Sequence, residues 1–462
     1  MKFRSVFLPL VIITISTSIK GQVSQDSTLN DKRFSINGFI RAGFYGDLHD
    51  NSPSPFISTC YSDLGLQIDS RIQNNFRAFA DVRFRYGSEY HEPVSQVTVR
   101  EAYVDYTFSR FSITAGQKIL KWGRADFTNP TSRLNPQDYI SRSPDRGDMD
   151  LGNIIAAVNW FPTDIFNLQA VAVPFYKSSV LLIDPIPLPE NVTIGQMNTL
   201  VTDQKLFSYG LKADFHPGGV DLGASWFEGY DPMPGIALKQ FSADFTGPVP
   251  VTTTALQVTP YKTRVAGLDF ETSAGIVGIR GEAAWSKPVL SYKDSEYVPL
   301  QEIKWVAGAD IALGNWRFTG EYSGKVLPGF EPSSVDPIIG TAPDYAKLAE
   351  LLATPGFDLE SYVRDQVAAF NRLYNYQLKK WYQQAGLRIE ADMGYGRFLP
   401  SIYTMYNFTT RDLLVIPEIK IKPVDALTLV VGAEIWSGKE GSLFYIIKDY
   451  MTSIYAGLRV DF

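Results

Sequence analysis

The last eight residues of the chain alternate without exception. Ala456, Leu458, Val460 and Phe462 fall on one side of an extended backbone, and Tyr455, Gly457, Arg459 and Asp461 fall on the other. Successive side chains of a strand point to opposite faces, so this segment has one apolar and one hydrophilic face. A strand with lipid on one side and water on the other must look this way. If that is its setting, the pattern has to recur along the whole chain, because an isolated strand cannot satisfy its own backbone in a bilayer.

It does recur. Phe76, Ala78, Ala80, Val82, Phe84 and Tyr86 oppose Arg77, Phe79, Asp81, Arg83 and Arg85. Phe207, Tyr209, Leu211, Ala213 and Phe215 oppose Ser208, Gly210, Lys212 and Asp214, and Trp316, Phe318, Gly320 and Tyr322 oppose Arg317, Thr319, Glu321 and Ser323. A water-soluble sandwich would also alternate, so period alone does not decide. The connections do. Tight turns at Ser109-Arg110, His216 to Gly219, Gly314-Asn315 and Gly394 to Gly396 alternate with mostly long ones, such as Trp122 to Leu151, Lys177 to Gln204, Gly229 to Thr259 and Val326 to Gln377. Outer-membrane barrels have short turns at the periplasmic end and long loops outside. The expected fold is all-β: a single antiparallel transmembrane β-barrel of about 18 strands, or 16 if a weak hairpin at residues 152–176 is miscounted. The closing strand should pair with the first, near Phe34 to Phe44, since closure removes both free edges.

The N-terminus is read differently. Lys2 and Arg4 precede an apolar run from Val6 to Ile15 and a small, polar stretch to Gly21. This has the form of a secretory signal peptide over residues 1–21, with the barrel occupying 22–462. The run is too short for a spanning helix, which needs about 20 apolar residues. The location expected is the outer membrane of a Gram-negative bacterium. With 43 basic and 49 acidic residues the net charge is −6, which gives no case for nucleic acid. Aromatic residues make up 13 % of the chain, which suits girdles at the two membrane interfaces. The single cysteine, Cys60, excludes an intrachain disulfide and reads as an isolated thiol.

Between about 342 and 384 the period changes. Leu359, Val363, Val367, Phe370 and Tyr374 recur at helical steps. Asp358 is placed to cap this helix, Pro343 suits the first turn of an earlier one, and Pro355-Gly356 separates the two. A helical hairpin is therefore expected in a long outer loop, either as a cap over other loops or as an obstruction of the lumen.

Chemistry is sparse. Of three histidines, His216 falls in a short turn and His49 and His91 fall at or in outer loops. A barrel hydrolase built on a Ser–His pair needs a third polar group to orient it, and no strand centre offers that histidine, which leaves a pair of inner-face carboxylates as the enzymatic alternative to a channel. No metal spacing, phosphate loop or nucleotide fingerprint occurs, so neither a catalytic residue nor a metal or other cofactor is assigned. The water-facing positions instead carry both signs of charge. Arg77, Arg83, Arg85, Glu101, Asp105, Lys212, Arg280, Glu282, Arg317, Glu321, Arg388 and Glu390 are the expected pore-lining residues. They serve either as rings that tune which solutes pass or as paired charges that brace the wall. One position misfits: Gln117 falls on the lipid face of the fifth strand, which implies a bulge or a shifted strand there.

The segment Gly116 to Asp150 cannot be a strand, because Asn129-Pro130 and Asn135-Pro136 punctuate it. It either lies on the surface, held by its own Asn and Asp caps, or folds inward. In the second case Trp122, Arg124, Asp126, Arg142, Arg146 and Asp148 are the constriction-loop candidates.

The run Gly116-Gln117, Trp122-Gly123, Asp126-Phe127, Asn129-Pro130, Leu134-Asn135-Pro136 resembles a little-characterised group of porin-like outer-membrane barrels. Ala172-Val173-Pro174-Phe175, Gly218-Gly219-Val220-Asp221-Leu222 with Glu228-Gly229-Tyr230-Asp231, and the tail from Gly441-Ser442-Leu443-Phe444 to Phe462 extend the resemblance over most of the barrel. The group is loosely similar in architecture to alginate-export barrels, and some of its members are encoded beside RND-type exporters. The resemblance implies a channel for small polar or charged solutes, or else an outer-membrane conduit for an inner-membrane exporter of lipid-like cargo. The partners implied are membrane lipid and lipopolysaccharide, the assembly machinery reading the C-terminal strand, an inner-membrane transporter, and further copies of the chain.

Overall fold

The structure is a computed structural model and describes residues 34–48, 56–73, 75–181, 183, 186–195, 200–244, 246, 251–339 and 345–462. The expected signal peptide, His49 and Pro343 lie outside the described residues.

Eighteen wall strands follow one another around a closed barrel. They are β1 (Phe34–Asp47), β2 (Ile57–Gln73), β3 (Phe76–Glu89), β4 (Glu92–Phe108), β5 (Phe111–Lys118), β6 (Asn153–Thr163), β7 (Phe166–Val173), β8 (Ser208–Phe215) and β9 (Val220–Tyr230). The circuit continues with β10 (Lys262–Ala274), β11 (Val277–Pro288), β12 (Glu302–Leu313), β13 (Trp316–Val326), β14 (Trp381–Ala391), β15 (Phe398–Asn407), β16 (Asp412–Val424), β17 (Leu427–Ser437) and β18 (Ser453–Asp461). Each pairs antiparallel with the next, and β18 closes on β1 from Phe39↔Asp461 to Asp47↔Ser453. Phe462 completes the seam: its N–H donates to the Gly38 carbonyl and its carbonyl accepts from the Gly38 N–H, both at 2.9 Å. The sixteen-strand alternative is excluded, since the hairpin at 153–173 is a full member of the wall.

The facing follows the alternation. Ile40, Phe44, Phe84, Tyr86, Leu211, Leu268, Leu387, Val431 and Leu458 are exposed on the outer surface, while Arg41, Asp63, Asp81, Glu282 and Glu321 are buried inside. An apolar belt around a closed barrel is what a bilayer solvates, and closure leaves no wall strand with a free edge. Near the short-turn end an aromatic arc runs across neighbouring strands. Phe76 meets Tyr106 at 4.3 Å, Tyr106 meets Phe108 at 5.4 Å, and Phe108 meets Phe111 at 5.5 Å between ring centroids.

The Gln117 misfit has its cause on the neighbouring strand. The β3–β4 register jumps from Asp81↔Glu101 to Val82↔Val99, leaving Arg100 as the extra residue of a bulge. Gln117 does point outward, in register with Ala102, and its amide donates to the carbonyls of Val99 and Arg100. It thus satisfies groups that the bulge frees from the ladder.

The opposite end is built from long loops. Gly235–Asp244 and Val251–Thr259 form a hairpin, and Val192–Gly195 adds to it in parallel. Above them sit two helices, α1 (Tyr345–Leu352) and α2 (Leu359–Tyr374). Asp358 caps α2 by accepting from the Glu360 N–H at 3.1 Å. Val363, Val367 and Phe370 pack with Val192, Ile236 and Leu256, and the buried Asn371 amide bonds both the N–H and the carbonyl of Ile236 at 2.8 Å. Of the two readings of the hairpin, the structure shows a cap over other loops. A third helix, α3 (Leu443–Met451), has no counterpart in the strand reading of the sequence. It is capped by Ser442 and buries Phe444 and Ile447.

Leu458 is 41 % exposed on the outer face, with Ala42 and Leu429 beside it in register. Leu458→Arg is expected to cost about 2–4 kcal/mol near the membrane midplane and to reduce barrel assembly, measured as the loss of heat-modifiable migration on electrophoresis. Arg459→Leu removes an inner ion pair with Asp461 at 2.8 Å and should assemble normally. Equal assembly of the two variants would contradict the facing.

Candidate functional site: an inward loop across the barrel

The connection between β5 and β6, residues 119–152, folds into the lumen. Two kinds of wall hold it. Its first part lies on an apolar sector, where Ile155, Ala157, Val171, Val173, Phe227, Val265 and Ala284 line the inside of the barrel. Trp122 and Leu134 are buried on that surface. The Trp122 ring sits over Gly210, so close that a Cβ there would overlap it, and its Nε1 donates to Gln169 Oε1 at 2.7 Å. Any side chain at position 210 would lift the ring off the wall.

Two buried wall carboxylates then grip the loop backbone. Glu282 accepts the N–H groups of Arg124, Ala125 (2.6 Å) and Thr131 (3.4 Å) and the Thr131 hydroxyl (3.0 Å). Glu321 accepts those of Asp126, Phe127 (3.0 Å) and Thr128 (3.2 Å). Side chains add to this. Arg124 reaches Asp269 at 2.7 Å, Asp214 at 3.3 Å and Asp221 at 3.5 Å, and Asp126 pairs with Arg280 at 2.8 Å. Phe127 lies against Gly386, with Arg388 over its ring at 5.1 Å.

The second part docks on the arginine-rich sector. Asp148 pairs with Arg83 at 2.6 Å and Arg41 at 2.7 Å, and Ser143 donates to it at 2.6 Å. Burial pushes the Asp148 carboxyl up, but the two guanidinium groups outweigh that and hold it well below the usual carboxylate range. Its docking contribution is therefore complete above the ordinary carboxylate pKa, about 3.9, and is lost only as pH falls through the depressed value. Arg142 is buried, donates to the Tyr450 carbonyl at 2.8 Å and stacks over Tyr90 at 4.3 Å. The two parts of the loop converge on one wall residue. Tyr403 of β15 meets the Phe127 ring edge-on at 4.9 Å and lies beneath the Arg146 guanidinium at 4.0 Å.

The remaining expected pore residues divide by partner. Arg77 pairs with Asp69 at 2.8 Å, Arg85 with Asp63 at 2.7 Å and with Glu89, Lys212 with Asp214 at 3.0 Å, and Lys118 with Asp105 at 3.2 Å. Glu101 accepts the Ile119 N–H at 2.9 Å where the loop leaves the wall. Arg317 and Glu390 are opposite each other in the β13–β14 register but make no ion pair among the described residues. Reasoning from sequence missed Asp63, Arg100, Arg133 and Tyr403. Asp63 and Tyr403 are inward by simple alternation, but Arg100 becomes inward only through the bulge.

Burial separates covered from open sectors. The Arg41 side chain is 3 % exposed and Asp269 0 %, whereas Lys420 on β16 is 39 % and Arg459 on β18 is 33 % exposed. Arg388 and Glu390 on β14 are half-buried. The loop thus covers the apolar sector of β6–β11 and the upper part of β1–β4 and reaches Tyr403 of β15, while inner-face charges toward the short-turn end, among them Asp221, Glu271, Lys420 and Arg459, stay in contact with solvent.

No family model matches the chain, and no curated protein sequence matches it. Solved structures do match in fold. OccK9 (OpdG) of Pseudomonas aeruginosa superposes with a TM-score of 0.52 at 7 % identity, over 93 % of this chain and 98 % of that one. OccK3 (OpdO) of the same organism gives 0.51 at 9 % identity, over 93 % and 95 %. The outer membrane protein OpdK, also from P. aeruginosa, gives 0.51 at 9 % identity over 93 % and 98 %, and it has been crystallised with vanillate. At these identities the likeness is one of fold.

The double variant Glu282→Ala/Glu321→Ala orphans the backbone donors of 124–128 and 131. Hydrogen bonds to charged groups contribute about 1.5–3 kcal/mol each, so the first part of the loop should undock while the barrel stays closed. Limited trypsin digestion followed by mass spectrometry is expected to show new cleavage at Lys121 or Arg124 in the double variant and none in the parent.

Proposed function

We propose that the chain forms a porin-like channel in an outer membrane and passes small polar or charged solutes by diffusion. The observation that carries this reading is that one inward loop narrows a charge-lined barrel and leaves inner-face charges toward the short-turn end, such as Lys420 and Arg459, open to solvent. In this reading the cap faces the exterior and the short turns face the periplasm, following the usual asymmetry of such barrels. The path runs from the cap past the junction of Phe127, Arg146, Arg388 and Tyr403, then along Glu418, Lys420 and Arg459 to the short-turn end. Of these, Glu418 and Lys420 are paired at 3.1 Å, and Arg459 lies over the Phe39 ring at 4.2 Å. Selectivity then comes from width and charge placement at the junction, with no covalent step. The fold neighbours support the architecture, and OpdK with vanillate gives a precedent for a small organic solute on such a fold.

Single-channel recording in planar bilayers tests this. An ion-permeable state is expected, and Arg388→Glu should shift the reversal potential in a salt gradient toward cation preference, because it inverts a charge at the junction. Absence of any conducting state at any voltage would sink the proposal. It would favour the export reading, in which the barrel opens only with an inner-membrane RND-type exporter and loss of that exporter reproduces loss of the barrel.

A further inference from the structure

Between the cap and the inward loop lies a cavity of about 650 Å³. That volume is within the range of sites that enclose a drug-sized molecule, about 300–1,000 Å³. Its two sides differ in kind. One is apolar: Leu414 of β16 and Trp436 of β17 stand with Phe444, Ile447 and Met451 of α3. The other is a row of neutral polar side chains. Ser323, Gln384 and Asn407 are register neighbours across β13, β14 and β15. Among the described residues the Ser323 hydroxyl and the Gln384 amide make no hydrogen bond to protein, so both are available to an occupant.

Most of the charges around the cavity already have partners. Arg133 pairs with Asp231 and Glu302, each at 3.3 Å. Lys304 and Lys325 pair with the same Glu302 at 2.7 and 3.3 Å. Arg142 lies 3.8 Å from Asp47 and donates to the Tyr450 carbonyl, and Arg146 lies over the Tyr403 ring. An ionised ligand would have to compete for side chains already engaged with one another, and burying an unpaired charge is costly. A neutral one gains burial on one face and hydrogen bonds on the other.

We infer that this cavity is a binding site for a neutral amphipathic solute, with a flat apolar face and a hydroxyl- or amide-bearing edge. The flat face lies against Trp436 and Phe444, and the edge lies along Ser323 and Gln384. The cavity sits directly above the Phe127–Arg146–Tyr403 junction, so occupancy precedes passage. That last step rests on the channel reading; binding itself does not.

The test uses 4-methylumbelliferyl glucoside, which is neutral, flat and hydroxylated, against the protein in lipid nanodiscs, with binding read by equilibrium dialysis and empty nanodiscs as control. Saturable binding is expected. It should weaken at least tenfold in Ser323→Trp, whose side chain fills the cavity from the wall, and in Met451→Trp, which fills it from α3. Heat-modifiable migration identifies which variants are folded, and either folded variant suffices. The dianionic 4-methylumbelliferyl phosphate should bind at least tenfold more weakly than the glucoside. The inference is overturned by an absence of saturable glucoside binding, by equal binding in the folded variants, or by equal or tighter binding of the phosphate. Binding with no conductance in bilayers would leave the site standing and remove the channel; conductance with no binding would do the reverse.

Discussion

In hydrocarbon a backbone N–H or C=O has no water to bond, so every one in the wall needs a partner in the wall. The β18–β1 ladder is where that requirement is met or fails. It joins residues more than four hundred apart in sequence, and Phe462 extends it by a reciprocal pair with Gly38. Even the exception follows the rule. Where the bulge at Arg100 takes two carbonyls out of register, an outward glutamine amide supplies their donors. Polarity on the lipid face is tolerated there because it is spent on the backbone and not on the bilayer.

Once the wall is closed, its inside is a surface on which a loop can fold. The loop at 119–152 is held less by its own side chains than by what the wall offers its backbone. Glu282 and Glu321 act as preplaced acceptors for a run of N–H groups that a non-helical, non-strand segment would leave unpaired. This solves the problem that normally confines irregular segments to surfaces. The apolar sector from β6 to β11 then gives Trp122 and Leu134 a core of their own. The arginine-rich sector holds the second part through buried ion pairs. Such pairs add little net stability over apolar contacts but fix position strongly, since losing one member strands the other.

Much of the fold was legible in the sequence. All eighteen strands, the short turns, the capped α2 and the outward face of β18 follow from two periods, 2 and 3.6, and from turn residues. The loop at 119–152 was legible only as a non-strand, and the non-strand expectation began too early, since Gly116, Gln117 and Lys118 still pair with β6. Whether it lay outside or inside depended on carboxylates of β11 and β13, some 150 to 200 residues away, that no local pattern connects to it. Charges such as Glu282 and Glu321 were recognisable as inward, but their use as backbone acceptors was not. The helix α3 escaped for a different reason. Leu443, Phe444, Ile447 and Met451 do recur at helical spacing, but the segment is short and abuts a strongly alternating strand that dominates the pattern.

That short helix has a consequence for how the molecule is made. The core of the cap draws on Ile186 and Val192 from one loop, Ile236 and Leu256 from a second, Val367 and Phe370 from α2, and Phe444 and Ile447 from α3. The last two arrive only with the final part of the chain, immediately before the strand that seals the barrel. The cap therefore cannot finish packing until biogenesis has reached its last step. Contacts of such long sequence separation are slow to form, because the chain must be ordered over its length before they are gained. Until then Phe444 and Ile447 are missing from the apolar core that Val367 and Phe370 share with them. Cap and seam are thus completed by one continuous stretch of chain, α3 followed at once by β18.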